Sequence, residues 1–308
     1  MDMHFIRRGE GKPLLLVHGI GGSSRSWDLM IDGLADAGRE VIAIDLPGHG
    51  ATPPLQGEVS ISTLADAVTS FLESQNLLGI DAVGSSMGAR LVLELVRRGG
   101  IVGAVVSLDP GGFWKGWEKP FFYFSVAASR RLVQWLQPVM PAIAGNPVGR
   151  TLLLPQFSAR PWDLHAELVQ EEMRTFATSA SFDDLLYNLT YGEPQKGVPR
   201  GTLQAPLIIG WGKQDRVCFP QQASRALRLF PDACIHWFSS CGHFPQWDSP
   251  EEAVQLVLTV TSGINYEPLL SAEMQTPVTT ATRNWAAIVG VGLAVVAGGF
   301  LLARSRTS

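Results

Sequence analysis

Gly84-Ser85-Ser86-Met87-Gly88 stands between two stretches of different hydrophobic period. Before it, Leu78–Val83 is a short apolar run of strand length. After it, Ala89–Arg98 carries Leu91, Leu93, Leu95 and Val96 in the pattern of a packed helix. A serine flanked two residues away by glycine on both sides, at a strand-to-helix switch, is a nucleophile elbow. The turn is so tight that side chains at the glycine positions would collide with the strand and helix beside it. The central residue is held strained, with its hydroxyl in open space. A serine hydroxyl is a weak nucleophile alone, so the turn implies a base nearby. Ser85 is the weaker candidate, because a frame shifted by one residue loses both glycines.

Working outward, Pro13–Val17 and Glu40–Ile44 are continuous apolar runs closed by glycine or proline turns, the signature of strands covered on both faces. Ser26–Ala37 and Leu64–Leu72 read as helices between strands, and Val102–Leu108 as the strand after the elbow helix. The alternation resumes at Pro206–Gly210, Gln221–Leu229, Ala233–Phe238 and Pro250–Val260. Strands alternating with helices predict an α/β fold, a mostly parallel doubly wound sheet. Such sheets bind ligands at the carboxyl ends of their strands, where Ser86 falls. Residues 111–203 break the rhythm. They are dense in Trp114, Trp117, Phe121, Phe122, Trp135 and Trp162, with helical segments at Phe124–Leu136 and Leu164–Thr175. An insertion at this point reads as a helical cap between two core parts, 1–110 and 204–263. Its aromatics seal it onto the core, and any that reach the pocket favour an apolar substrate.

The chain has 308 residues and a net charge of −4, with no Lys/Arg run to suggest a nucleic-acid partner. Cys218, Cys234 and Cys241 show no metal-ligand spacing and read as reduced thiols, and no metal or organic cofactor is expected. The N-terminus lacks the apolar segment of a secretory signal. Residues 264–284 read as a flexible linker, 285–303 as a transmembrane helix and 304–308 as a basic tail. Trp285–Ala303 is uncharged over 19 residues, about 28 Å as a helix and close to a bilayer's apolar thickness. The expectation is a single-pass C-terminal membrane anchor with the globular part on the cytosolic side. Gly290, Ala294 and Gly298 repeat at four-residue spacing, which would let two such helices pair into a homodimer.

If Ser86 is a nucleophile it needs an imidazole, and a carboxylate to orient that imidazole. Cys241-Gly242-His243-Phe244-Pro245 puts His243 just after the last predicted strand, and Gly212-Lys213-Gln214-Asp215 puts Asp215 after the strand before it. The order serine, acid, histidine is the order this architecture uses. Asp109, which closes its own strand at the same edge, is the alternative acid. An attacked carbonyl also needs two N–H groups aimed at its developing oxyanion. Met87, just after the nucleophile, supplies one. Ile20, in His18-Gly19-Ile20-Gly21-Gly22, supplies the other.

His18-Gly19, Asp45-Leu46-Pro47-Gly48-His49-Gly50, Gly84–Gly88, Gly212–Asp215 and Gly242-His243 together resemble the α/β-hydrolase superfamily, in its capped group. The resemblance implies a serine hydrolase that cleaves a carboxylic ester, apolar or lipid-like, through an acyl-enzyme. The alternative is a carbon–carbon bond hydrolase or perhydrolase with the same triad. A non-catalytic binding module tethered to a membrane is the reading from another class. Members with aspartate at the elbow are excluded by Ser86. The short N-terminus and the expected anchor depart from the family pattern.

Overall fold

The computed structural model describes residues 2–263. Seven strands form one sheet in the order β1-β3-β2-β4-β5-β6-β7. They are β1 (Phe5–Arg8), β2 (Lys12–Val17), β3 (Arg39–Ile44), β4 (Ile80–Ser85), β5 (Val102–Leu108), β6 (Leu207–Gly212) and β7 (Cys234–Phe238). All neighbours pair in parallel except β1, which runs antiparallel to β3 with Phe5 opposite Ile44. β1 is absent from the sequence reading. Four residues, two of them arginines, carry too short a period to register, and only pairing with β3 makes the segment a strand.

Alternation along each strand sends side chains to opposite faces and builds two cores. Leu15, Val17, Ile42 and Ile44 join one apolar cluster, which includes Leu64 and Val68 of α2 (Ile61–Ser74) and Leu91 and Leu95 of α3 (Met87–Arg98). Leu14, Leu16, Val41 and Ala43 join the other, with Met30 and Leu34 of α1 (Asp28–Asp36). Both β2 and β3 are therefore covered on both faces, which is why they read as continuous apolar runs. Leu15→Ala would open a cavity in such a core at a cost of about 2–5 kcal/mol.

Between β5 and β6 lie α4 (Glu118–Leu136), α5 (Met140–Ala144), α6 (Pro147–Leu153), α7 (Ala166–Thr178) and α8 (Phe182–Tyr191). The chain then returns through α9 (Ala223–Leu229), α10 (Pro245–Asp248) and α11 (Pro250–Thr261). Phe122 and Val126 of α4 and Met173 and Phe176 of α7 are buried in the first core. Trp117, Phe124, Trp135 and Trp162 are exposed, so these four line no closed pocket, and of them Trp117 packs beside Phe219, 5.7 Å between ring centroids.

The expected membrane anchor is corrected here. Among the described residues no helix is long and apolar enough to cross a membrane. The longest, α4 with 19 residues, carries Glu118, Lys119, Arg130 and Arg131, and each charge at bilayer depth is costly. Residues 285–303 lie outside the described residues. The transmembrane helix, the membrane partner, the homodimer through it and the single-pass placement with a cytosolic domain are accordingly withdrawn.

Candidate active site

Ser86 sits between β4 and α3 with φ 55° and ψ −111°. A positive φ on a residue with a Cβ costs of order 1–3 kcal/mol and persists only where packing imposes it. Here the imposition is visible. A Cβ on Gly84 would strike the Gly88 carbonyl, and one on Gly88 would strike the Val17 carbonyl. Strand, turn and helix are thus in direct backbone contact, and Ser86 N–H is tied to the Leu108 carbonyl at 2.9 Å.

His243 Nε2 lies 2.8 Å from Ser86 Oγ, and its Nδ1 lies 2.8 Å from Asp215 Oδ2. An ionised carboxylate can only accept, so Nδ1 carries the proton and Nε2 turns its lone pair to the hydroxyl. The other Asp215 oxygen, Oδ1, accepts the N–H groups of Val217 at 2.7 Å and Cys218 at 3.0 Å. That pair fixes the carboxylate plane. His243 and Asp215 are both buried, and Ser86 is 7% exposed. The structure therefore brings Ser86, His243 and Asp215 together from three loops at one sheet edge.

The histidine loop is held by a residue that the sequence reading missed. Asp248 Oδ2 accepts Gly242 N–H at 2.7 Å and Ala159 N–H at 2.8 Å, and its Oδ1 accepts the Ser158 hydroxyl. His243 N–H donates to the Phe157 carbonyl at 2.8 Å. One carboxylate thus pins the His243 loop to the segment between α6 and α7. In sequence it is an ordinary acid ahead of a helix, and only its burial reveals the clamp.

Asp109 directly follows β5. It is fully buried with φ 48°. Its Oδ1 accepts Gly212 N–H at 2.9 Å, while Oδ2 finds no donor. Burial, then the negative charge of Asp215 and a hydrogen bond to it, push the Asp109 carboxyl well above the usual carboxylate range. Two buried acids thus stand close together, and burial with like charge disfavours ionising both. The imidazole contacts Asp215, and no contact with Asp109 accompanies it.

Gly19 packs against the nucleophile, where a Cβ would stand 3.1 Å from Ser86 Cβ. That brings Ile20 beside the site, with Met87 opening α3 on the other side. His18 braces this loop. Its Nδ1 contacts the Gly19 carbonyl at 2.7 Å, its Nε2 accepts Leu46 N–H at 3.0 Å, and burial lowers its pKa. Ser85 Oγ is turned away and accepts from Gln246 Nε2 at 2.9 Å.

Asp215, Cys218 and His243 have ligand atoms within 4.8 Å of one another. The set does not fit a metal. Both imidazole nitrogens and both Asp215 oxygens are engaged by protein groups, and burial pushes the Cys218 thiol well up, whereas a metal binds the thiolate.

The model of the alpha/beta hydrolase family matches residues 14–256. The 2-hydroxy-6-oxononadienedioate/2-hydroxy-6-oxononatrienedioate hydrolase 2 of Pseudomonas putida is 26% identical over 272 residues, which span 84% of this chain and 91% of the relative. Among solved structures, an esterase from Exiguobacterium antarcticum superposes with TM-score 0.68 at 16% identity, covering 84% of this chain and 95% of its own. A meta-cleavage product hydrolase from Pseudomonas fluorescens superposes with TM-score 0.64 at 20% identity, covering 84% and 94%. With that family match over most of its length, this chain belongs to the alpha/beta hydrolase family and is an enzyme of its serine-hydrolase type.

Proposed function

We propose that the protein hydrolyses the carbon–carbon bond beside an activated ketone, with Ser86 as nucleophile, and that the stretch 111–203 caps the site. The observation that carries this reading is the likeness to the Pseudomonas putida hydrolase over 84% of the chain. Ester cleavage, the main expectation from sequence, becomes the second reading.

Ser86 Oγ attacks the ketone carbon while His243 Nε2 takes its proton, and Asp215 holds the imidazolium. The N–H groups of Ile20 and Met87 receive the oxyanion. As the tetrahedral adduct collapses, the carbon–carbon bond breaks and its electron pair passes into the leaving fragment. That step requires the leaving carbon to be conjugated to a second carbonyl, as in a vinylogous diketone. His243 then protonates that fragment. An acyl-serine remains, and water, deprotonated by His243, releases the acid and restores the hydroxyl.

What favours the ester reading is the lining of the chamber beside Ser86, which holds Glu172 and no lysine or arginine. The carboxylate of a dienoate finds no cation there, and an uncharged ester needs none. Product analysis with an uncharged vinylogous diketone and with p-nitrophenyl esters separates the two. The main reading expects both acid and ketone-derived products from the diketone, lost in Ser86→Ala. Turnover of esters with an inert diketone would overturn it in favour of the second.

A further inference from the structure

The helices between β5 and β6 carry an outward face that no described part of the chain covers. Trp117, at the start of α4, is followed at helical spacing by Phe124, Arg131 and Trp135, all exposed. Phe122, Val126 and Val133 of the same helix are buried on its other side. α8 presents a second row, Asp184, Tyr187 and Tyr191, opposite its buried Leu185, Leu186 and Leu189. Single exposed apolar residues are ordinary on a protein surface, but two adjoining aromatic rows make a patch.

The two rows lie side by side and run in opposite directions. Arg130 of α4 pairs with Asp183 of α8 at 2.6 Å, and further along the rings of Tyr123 and Tyr191 are 5.5 Å apart. Tyr123 also meets Phe124 edge to face, and Tyr191 meets Tyr187, so the aromatic surface is continuous across both helices. Arg131 and Asp184, the next residue on each helix, therefore stand at the same height. Both are exposed, and among the described residues neither has an ion-pair partner.

That arrangement is self-complementary. A two-fold axis along the groove between α4 and α8 lays α4 of one copy antiparallel on α8 of the other, at unchanged height. Arg131 then faces the partner's Asp184, and symmetry makes the same pair a second time. Phe124 meets the partner's Tyr191. The five exposed rings, Trp117, Phe124, Trp135, Tyr187 and Tyr191, are between 45% and 74% exposed, which leaves roughly 100 Å² of each open. Two copies together would hide roughly 1,000 Å² in these rings alone, the size at which specific interfaces begin. An anionic lipid surface fits this face less well, because Asp183, Asp184 and Glu193 are exposed on it or at its margin.

We propose that α4 and α8 form the isologous interface of a homodimer, joined by the Arg131–Asp184 pair made twice across the two-fold and by the aromatic rows beside it. The interface is made by these two helices alone and needs nothing from residues 285–303. It is independent of which bond the enzyme cleaves.

Sedimentation velocity on the full chain, from about 1 to about 100 μM, tests it. A monomer–dimer equilibrium is expected. Arg131→Glu and Asp184→Arg each set like charges face to face twice, and each is expected to raise the dimer Kd roughly tenfold or more. The double variant restores both pairs with their signs exchanged, and its Kd is expected to return to within about threefold of the original. Both side chains are exposed, so the circular dichroism spectrum should not change. A chain that stays monomeric overturns the proposal, as does a dimer unmoved by Arg131→Glu or a double variant that fails to recover association. A monomer that floats with phosphatidylglycerol vesicles, and ceases to in Trp135→Ser, overturns it in favour of a lipid surface.

Discussion

The loops at the carboxyl edge of the sheet and the helical stretch between β5 and β6 meet beside Ser86, yet they are built on different terms. At the sheet edge, Ser86, Asp215 and His243 each follow a strand whose position the backbone ladder fixes, and their spacing is set by strand order. In the helical stretch, Glu172 and Phe176 reach the site from α7, whose placement depends on side-chain packing and on the Asp248 clamp. The difference teaches that chemistry and selectivity have separate structural supports here. The first should tolerate no substitution, and the second should be adjustable.

Breaking the sheet-edge side gives the largest effect. Ser86→Ala is expected to lower kcat by roughly 10⁴-fold or more and to abolish labelling by a fluorophosphonate, with an unchanged circular dichroism spectrum. Retained labelling would place the nucleophile elsewhere. The two buried acids at this edge sharpen the point. Asp215→Asn should cost roughly 10⁴-fold in kcat, because the imidazole loses its anionic acceptor. Asp109→Asn should cost less than about threefold, because the imidazole contacts Asp215 and an amide oxygen can still accept from Gly212. Equal losses in both variants would mean that Asp109 is ionised or acts on His243 directly.

The joint between the two regions should respond at an intermediate level. Asp248→Ala strands the Gly242 and Ala159 N–H groups, each worth about 1–3 kcal/mol when left buried and unpaired. Loss of kcat larger than loss of stability is the expected pattern, since His243 rides on the released loop. Urea unfolding beside steady-state kinetics measures both, and a purely thermodynamic loss would reduce Asp248 to a packing role.

The smallest effect is on stability against pH, and it belongs to Glu172. Its folded pKa is raised from 4.5 to about 8. Below pH 4.5 folded and unfolded chains both hold this proton. Between the two values the unfolded chain releases it and the folded one keeps it, so stability falls as pH rises, by a few kcal/mol at most. Above about pH 8 the contribution is level. Glu172→Gln should flatten that part of the profile, measured by urea unfolding at pH 5 and pH 8. An unchanged slope would show that the fall arises at Asp109 or elsewhere.

How much of this was legible in the sequence follows from which interactions are local. The elbow was, because Gly84 and Gly88 are required by backbone contacts that any strand-turn-helix of this kind makes. So were Asp215 and His243 as candidates, since each follows a strand with a glycine turn. Between the two acids the sequence preferred Asp215 and kept Asp109 as the alternative, since both close strands at the same edge. The direction of His243 Nδ1, toward Asp215, is a tertiary fact. Glu172 was invisible because Gln170-Glu171-Glu172 reads as a solvated helix face, and burial of one member against Ser26 is a tertiary event. β1 was missed because its period is too short to see without its partner strand.

By itself the sequence determined the alternating α/β order, the strained turn at Ser86 and the residue types able to make a triad. These depend on period, turn chemistry and chain order, which are written locally. Tertiary structure alone decided how the acid meets the imidazole, that burial pushes the carboxyl of Asp109 well above the usual range, and that Glu172 is buried against Ser26. Those outcomes depend on burial and on distances between residues far apart in the chain. It also removed the support for a membrane-anchored reading, since no described helix is apolar enough over its length to cross a bilayer.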